Sequence, residues 1–471
     1  MSLLIRGGTL IDAAGVRPGE VLIDGERIGA VGERLEASGA EVLDASGALV
    51  IPGGIDAHTH FDLPVGAVRS ADDFESGTVA AACGGTTCVV DFAGAGRESP
   101  EEALEAWHEK AAGRAAVDYG FHLTVTSVPE DAAEARALFR WFVEQGVASV
   151  KLYMAYPERL MVDDATLARA MAASRETGVL IAVHAEDGLS VERRVAEALA
   201  DGRRHPRWIT EVRPPEVEAA AIHRAATLSK AARVPLFIVH LSSAAGLERI
   251  GEARAGGATV FVETCPQYLY LTDALLGRPD DEALDFVCAP PLRSNRDRHA
   301  LWVGLGDGEV QVISTDHCPF TRRDRRRGLH GDPEGWANFA DIPGGLPGVE
   351  TRVGLVYQGV REGRISVEQW VSSVAATPAR LFGLADRKGS LAPGFDADIV
   401  VFDPAATRTL NAESLHMRTD HSPYEGQVVE GWPAVTIARG RIVARDGEPA
   451  DIEAGWGRFV RRRAFRWRSL D

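Results

Sequence analysis

Two histidines two residues apart, His58 and His60, stand in the run GGIDAHTHFDLP. On a strand, side chains at i and i+2 point to the same side, so both imidazoles can meet one ion. An H-x-H pair alone carries little weight, because most histidines at strand ends are satisfied by ordinary hydrogen bonds. Here it is followed by Lys151 in SVKLYMA, His184 in VLIAVHA, His240 in PLFIVHLS and Asp316 in VQVISTDH. Each sits at or near the end of its own apolar, β-branched run. Four imidazoles and a carboxylate suit Zn²⁺ or a similar divalent ion with positions left open for water. With the lysine there are six donors, more than one tetrahedral ion takes, which points to two metals. A protonated amine cannot bridge two cations. Burial disfavours the charged form of a lysine, and a neutral Lys151 can take up CO₂ to give a carbamate, a carboxylate-like anion able to bridge them.

Composition singles out the same residue. Of 51 basic side chains only four are lysines: Lys110, Lys151, Lys230 and Lys388. Lys110 and Lys230 fall in polar or Ala-rich helical stretches and Lys388 in a turn, so all three are expected to be solvated surface cations. Lys151 lies inside an apolar run, and an arginine could not take its place, because a guanidinium is never neutral enough to react with CO₂.

These donors need elements that bring them together. From about residue 51, eight strand-like runs (IPGGIDAHTH, TTCVVDF, YGFHLTVT, SVKLYMA, VLIAVHA, PLFIVHLS, ATVFVETC, VQVISTDH) alternate with helical stretches near 71–83, 101–112, 130–145, 164–177, 215–232, 244–255 and 295–304. Most of the runs are continuously apolar, the signature of parallel strands buried on both faces. The alternation predicts an α/β chain folded as a (β/α)₈ barrel over 53–383, with a doubly wound open sheet as the alternative. In such a barrel the C-terminal ends of the strands form one rim, where all six donors would converge. Residues 1–52 and 384–450 read as short strands with turn signals and predict one small β-sandwich built from both termini. Residues 451–471 form a basic, aromatic tail that could pack on a neighbouring subunit. The long loop at 318–345 has the length of a lid or binding loop, and its arginine run at 321–327 reads as a solvated patch.

Bulk properties narrow the class. The 471 residues are 45% hydrophobic and 25% charged, as in ordinary globular proteins. A net charge of −17 argues against a nucleic-acid or anionic-membrane surface. No apolar run reaches the roughly 18 residues of a membrane span, and MSLLIRGGTLIDAAG lacks a signal peptide's apolar core. Five scattered cysteines suit a reducing cytoplasm.

Taken together, GGIDAHTHFDLP, ACGGTTCVVDF, KLYMAYP, VHAEDG, VRPPEVEAAAI, IVHLSS, ETCPQYLYLT, APPLR, STDHCPF, IPGGLPGVETR and PGFDADIVVFDP resemble the amidohydrolase superfamily, in its cyclic-amidohydrolase branch of dihydropyrimidinases and D-hydantoinases. The resemblance spans nearly the whole chain. It implies two zinc ions bridged by N6-carboxylysine at Lys151 and by hydroxide, with His58, His60 and Asp316 on one ion and His184 and His240 on the other. It also implies that Asp316 is the general base and acid, that Tyr156 hydrogen-bonds the developing oxyanion, and that the enzyme is a homotetramer or homodimer. Leu63, Tyr153 and Leu160 match positions that build the pocket for the ring substituent.

Two positions depart from the pattern. Ala289 stands where relatives often have serine before Pro-Pro-Leu-Arg, and Gly344 where they often have asparagine after Ile-Pro. In the family the chain resembles, both places contact the cyclic amide largely through the backbone, so they remain expected substrate contacts. The expected reaction is hydrolysis of dihydropyrimidines or 5-substituted hydantoins to N-carbamoyl amino acids. Allantoin or another cyclic ureide is the alternative. Dihydroorotate is less favoured, because Phe61 and Asp62 follow His60 where dihydroorotases usually carry an arginine for the substrate carboxylate. A non-catalytic scaffold is disfavoured by the intact ligand set.

Overall fold

The continuous apolar runs become strands because side chains from both faces are removed from water. In the computed structural model, which describes residues 2–96, 98–332, 335–450 and 455–465, eight strands pair in parallel in chain order: Gly54–Thr59, Thr86–Ala93, Asp118–Thr124, Ser149–Tyr153, Leu180–His184, Leu236–Ile238, Val260–Thr264 and Val312–Ile313. Every residue of the first three is buried. Helices at Phe74–Cys83, Pro100–Ala111, Ala132–Glu144, Asp164–Thr177, Pro215–Ala232, Ala244–Ala255 and Asn295–Gly306 fill the expected stretches between them. Asp73, Ser99 and Ser294 start three of these helices with reciprocal capping boxes, satisfying backbone N–H groups that the helix leaves unpaired. The cylinder closes just past the last strand, where Thr59 and His317 form a parallel bridge and the His60 amide donates to the His317 carbonyl at 2.9 Å. An open sheet has no such contact between its first and last strands.

The terminal strands behave as one unit. Ser2–Asp12, Gly15–Asp24, Arg27–Gly32 and Leu49–Pro52 share a nine-stranded sheet with Ile399–Thr409, Val428–Ala438 and Arg441–Arg445. The join is antiparallel pairing of Leu49–Pro52 with Ile399–Thr409. Leu3, Ile5, Val21, Ile23, Ile399, Val401 and Ile437 form its own apolar core. The fold is therefore a (β/α)₈ barrel carrying a β-sandwich made from both chain ends.

One surface expectation is corrected and a second is corrected in part. Lys388 is not a solvated cation; it is 2% exposed. Its Nζ lies 2.8 Å from Asp118 Oδ2, 2.5 Å from Asp398 Oδ2 and 3.2 Å from Asp396 Oδ2. The polar turn around it gave no hint, because Asp118 is supplied by a barrel strand 270 positions away. Burial opposes the charge, but the carboxylates outweigh it and hold the Lys388 pKa well above its usual value. Removing one partner of such a cluster leaves buried charge uncompensated, so Lys388→Met should cost about 3–5 kcal/mol in denaturant unfolding. Lys110 is partly covered as well, donating to the Asp62 carbonyl at 2.8 Å over the Trp107 ring, whereas Lys230 is exposed as expected.

The arginine run is corrected only in part: Arg322, Arg323, Arg326 and Arg327 are exposed as expected, and Arg325 is not. The run forms the short helix Arg322–Arg327, and Arg325 is fully buried, donating to the carbonyls of Val287, Pro343 and Gly345. Arg322 and Arg326 pair with Asp285 and Asp281. These cations pin the loop to the barrel. The described part of the tail packs on its own chain. Residues 451–454 and 466–471 lie outside the described residues, but 455–465 run across the chain's own barrel at the end opposite the rim. The Val460 amide donates to the Tyr119 carbonyl at 2.7 Å and the Arg462 amide to the Gly146 carbonyl at 2.8 Å. The buried Arg462 guanidinium enters the bore, reaching Ser149 Oγ at 2.8 Å. Among the described residues no helix is long and apolar enough to cross a membrane.

Candidate metal centre and active-site cavity

All six donors meet at the rim. His58 Nε2 lies 3.0 Å from Asp316 Oδ1 and 3.1 Å from Lys151 Nζ. His60 Nε2 is 3.2 Å from the same Asp316 oxygen, and ligand atoms of His58, His60 and Asp316 all lie within 4.8 Å of one another. The His240 ring is centred 5.5 Å from His58 and 4.6 Å from His184. Short strands make this possible: the first supplies both His58 and His60 around its end, Lys151 lies two residues before the end of its strand, His184 ends its own, and His240 and Asp316 follow theirs by two and three residues. Two donors sit on unusual backbone, His240 at φ 40° and Asp316 at φ 53°, as does Tyr156 at φ 64°. Left-handed conformations at non-glycine residues carry strain that concentrates at functional sites.

The surroundings set the charge state. Burial lowers Lys151 to about 8, against the pull of Asp316 and Glu263, so more of its amine is neutral than in an ordinary lysine. Burial lowers His60 to about 4 and His240 well below its ordinary value, and keeps His184 low too. Burial and Lys151 press His58 the same way, but Asp316 and Glu263 outweigh them and raise it. Asp316, which burial alone would protonate, is held well below the usual carboxylate range by His58, His60 and His240.

These residues fit a divalent metal. The imidazoles are mostly neutral, a carboxylate is ionised, and the buried Nδ1 atoms of His60 and His240 have no hydrogen-bond partner among the described residues. Two further carboxylates orient the ligands, and sequence reasoning did not single them out. Glu263 Oε1 binds His58 Nδ1 at 2.6 Å and also accepts from the His240 amide at 3.1 Å, which turns His58 Nε2 toward the centre. Glu186 Oε2 binds His184 Nε2 at 2.8 Å, leaving Nδ1 as that ring's free nitrogen. Such partners fix the tautomer and direction of a ligand. Glu263 is the penultimate residue of the seventh strand, and Glu186 follows His184 by two residues; those placements were the available signals.

Beside the donors opens a cavity of about 290 Å³. Tyr156 lines it, with its ring 5.3 Å from that of His184 and the Arg213 guanidinium 5.3 Å from its centroid. Burial, resisted by Arg213, raises the Tyr156 hydroxyl to about 12, so it keeps its proton. Arg213 is itself anchored by Glu186 at 2.5 Å. Leu63, Tyr153 and Leu160 line the wall as expected, and so do Ala289 and Gly344. Next to them, Gly345 is confined by its neighbours: at φ 152° an added Cβ would lie 2.3 Å from the Cys318 carbonyl. Ile209, Val212 and Phe339 complete the apolar wall without having been foreseen, because they come from segments outside the strand–helix alternation. Of four polar residues beside the donors in sequence (Asp62, Asp187, His317 and Cys318), Cys318 lines the cavity. His317 instead bonds Asp72 at 3.0 Å, Asp62 pairs with Arg69, and Asp187 accepts from Ser190.

Residues 49–443 match the model of the amidohydrolase family. A D-hydantoinase of Geobacillus stearothermophilus is 41% identical over 471 aligned residues, covering 99% of this chain and 97% of the relative. A D-hydantoinase of Streptomyces coelicolor is 45% identical, covering 94% and 95%. The crystal structure of a dihydropyrimidinase from Brevibacillus agri superposes with a TM-score of 0.95 at 41% identity, covering 99% of this chain and all of that one. With a family match over most of its length and full-length relatives of this similarity, the chain belongs to the amidohydrolase family, in its hydantoinase and dihydropyrimidinase branch.

Proposed function

We propose that this enzyme hydrolyses the cyclic amide bond of dihydropyrimidines or 5-substituted hydantoins, releasing N-carbamoyl amino acids. The observation that carries the reading is the convergence of Lys151, four histidines and Asp316 beside a largely apolar cavity, in a chain of this family. His58, His60 and Asp316 would hold one divalent ion and His184 and His240 a second, with Lys151, carboxylated on Nζ, shared between them. Its lowered pKa supports that modification, since only the free amine reacts with CO₂. Zinc suits the donors best. When bound, the metal pair lowers the pKa of a water toward neutrality and polarises the ring carbonyl.

The chain's own groups do the rest. Asp316 takes the proton of the attacking water and returns it to the departing ring nitrogen. Tyr156, protonated and steered by Arg213, donates to the carbonyl oxygen as negative charge develops there. Tyr156→Phe should lower kcat roughly 10²–10³-fold, the usual range for one oxyanion donor, with a smaller change in KM. Ala289 and Gly344 leave their backbone groups to meet the ring, and the apolar wall receives its substituent. A homotetramer or homodimer is the expected assembly, and the cytoplasm the expected location.

A kinetic panel of dihydrouracil, 5-phenylhydantoin, allantoin and dihydroorotate tests the substrate class. The apolar wall predicts highest kcat/KM for the first two. A preference for allantoin would move the reading to a ureide hydrolase, and a preference for dihydroorotate would refute the apolar-ring assignment.

A further inference from the structure

Away from the rim, three metal-ligating side chains meet where the barrel touches the sandwich. Cys83 ends the helix Phe74–Cys83, Glu350 precedes the helix Arg352–Arg361, and His416 lies in the connection between the sandwich strands Ile399–Thr409 and Val428–Ala438. Cys83 Sγ, a Glu350 carboxylate oxygen and a His416 ring nitrogen all lie within 4.8 Å of one another. The backbone approach is close: a Cβ on Gly84 would stand 2.1 Å from the Glu350 carbonyl. None of the three lines the active-site cavity.

The chemistry of this cluster is that of a cation site. Glu350 is fully buried, and among the described residues neither lysine nor arginine forms an ion pair with it. Both of its oxygens turn to His416, Oε1 to the ring Nδ1 at 3.0 Å and Oε2 to the backbone amide at 2.6 Å. A buried carboxylate needs a positive partner. Without a metal that partner is the protonated His416 ring, which faces Glu350 Oε1 at 3.0 Å. One divalent ion bound by a thiolate, a carboxylate and a neutral imidazole gives the same balance with three direct bonds, displacing the protons of Cys83 and His416. Access is available on one side, where the His416 side chain is 21% exposed and the outer carboxylate of Glu448 approaches its Nε2 at 3.1 Å.

We propose that Cys83, Glu350 and His416 bind a zinc-class divalent ion, separate from the rim, that ties the sandwich to the barrel. A sulfur, nitrogen and oxygen donor set selects zinc and cobalt over magnesium or calcium.

Replacing bound metal with Co²⁺ in the full-length protein tests this, because a thiolate on cobalt gives a near-ultraviolet charge-transfer band and the proposed rim ligands include no sulfur. The expected result is such a band in the wild type, lost in Cys83→Ser together with one cobalt per chain, while hydrolytic activity is kept. Since Cys83 is buried, His416→Gln at the more open position provides a second variant with the same expected loss. Lys151→Ala should keep the band, so failure of the rim assignment and failure of this one give different spectra. No band in the wild type, or a band that survives either the Cys83 or the His416 substitution, would overturn the proposal.

Discussion

Lys151→Ala should purify as a folded protein with its metal content largely lost and its hydrolytic activity gone. The side chain is 1% exposed, with Nζ 3.1 Å from His58 Nε2 and 4.2 Å from the centre of the Phe92 ring. In that position a plain ammonium would repel both ions, whereas its carbamate would attract both. The alanine variant would remove the proposed bridge and leave a space beside the histidines. A short carboxylic acid such as acetate or propionate can enter that space and return the missing negative charge, so metal and activity should recover together and in part. Lys151→Arg should not be rescued, because the guanidinium fills the space and stays charged. Metal analysis and turnover, with and without added acid, check the expectation. Full metal content in Lys151→Ala would remove the lysine from the ligand set.

Asp316→Asn should lower kcat by about 10³–10⁴-fold, the range associated with loss of a positioned general acid–base. The amide is nearly isosteric but cannot take a proton from the attacking water, and it is a poorer ligand. Melting temperature should change little, because the carboxylate faces the cavity and its contacts are to His58 and His60. Measuring kcat and melting temperature on one preparation separates lost chemistry from lost fold. Near-normal turnover would exclude Asp316 as the base.

Much of this site was legible in the sequence, because a parallel barrel turns a one-dimensional feature into a three-dimensional one. A donor at the C-terminal end of any strand arrives at the same rim, so His58, His60, Lys151, His184, His240 and Asp316 could be grouped without knowing how the strands pair. Glu263 and Glu186 escaped because their role is to hold other side chains, a relation fixed through space. Lys388 shows the same limit from the other side. The scarcity of lysine marked residues worth inspecting, yet two of the four are buried, and composition did not distinguish them. Their partners do. Lys388 is surrounded by Asp118, Asp396 and Asp398 and is held as a cation, while Lys151 faces imidazoles as well as acids and is pushed toward neutrality. Arg325 and Arg462 were likewise unreadable, since an arginine that ends on carbonyl oxygens inside the protein has the same local sequence as one in water.

The most direct test is the ring opening of dihydrouracil by metal-loaded protein, followed as formation of N-carbamoyl-β-alanine, with chelator-treated protein alongside. The rim geometry predicts product from the loaded enzyme, none after chelation, and recovery on adding zinc. Failure to open either dihydrouracil or 5-phenylhydantoin, or ring opening that chelation leaves unchanged, would contradict a metal-dependent cyclic-amide hydrolase.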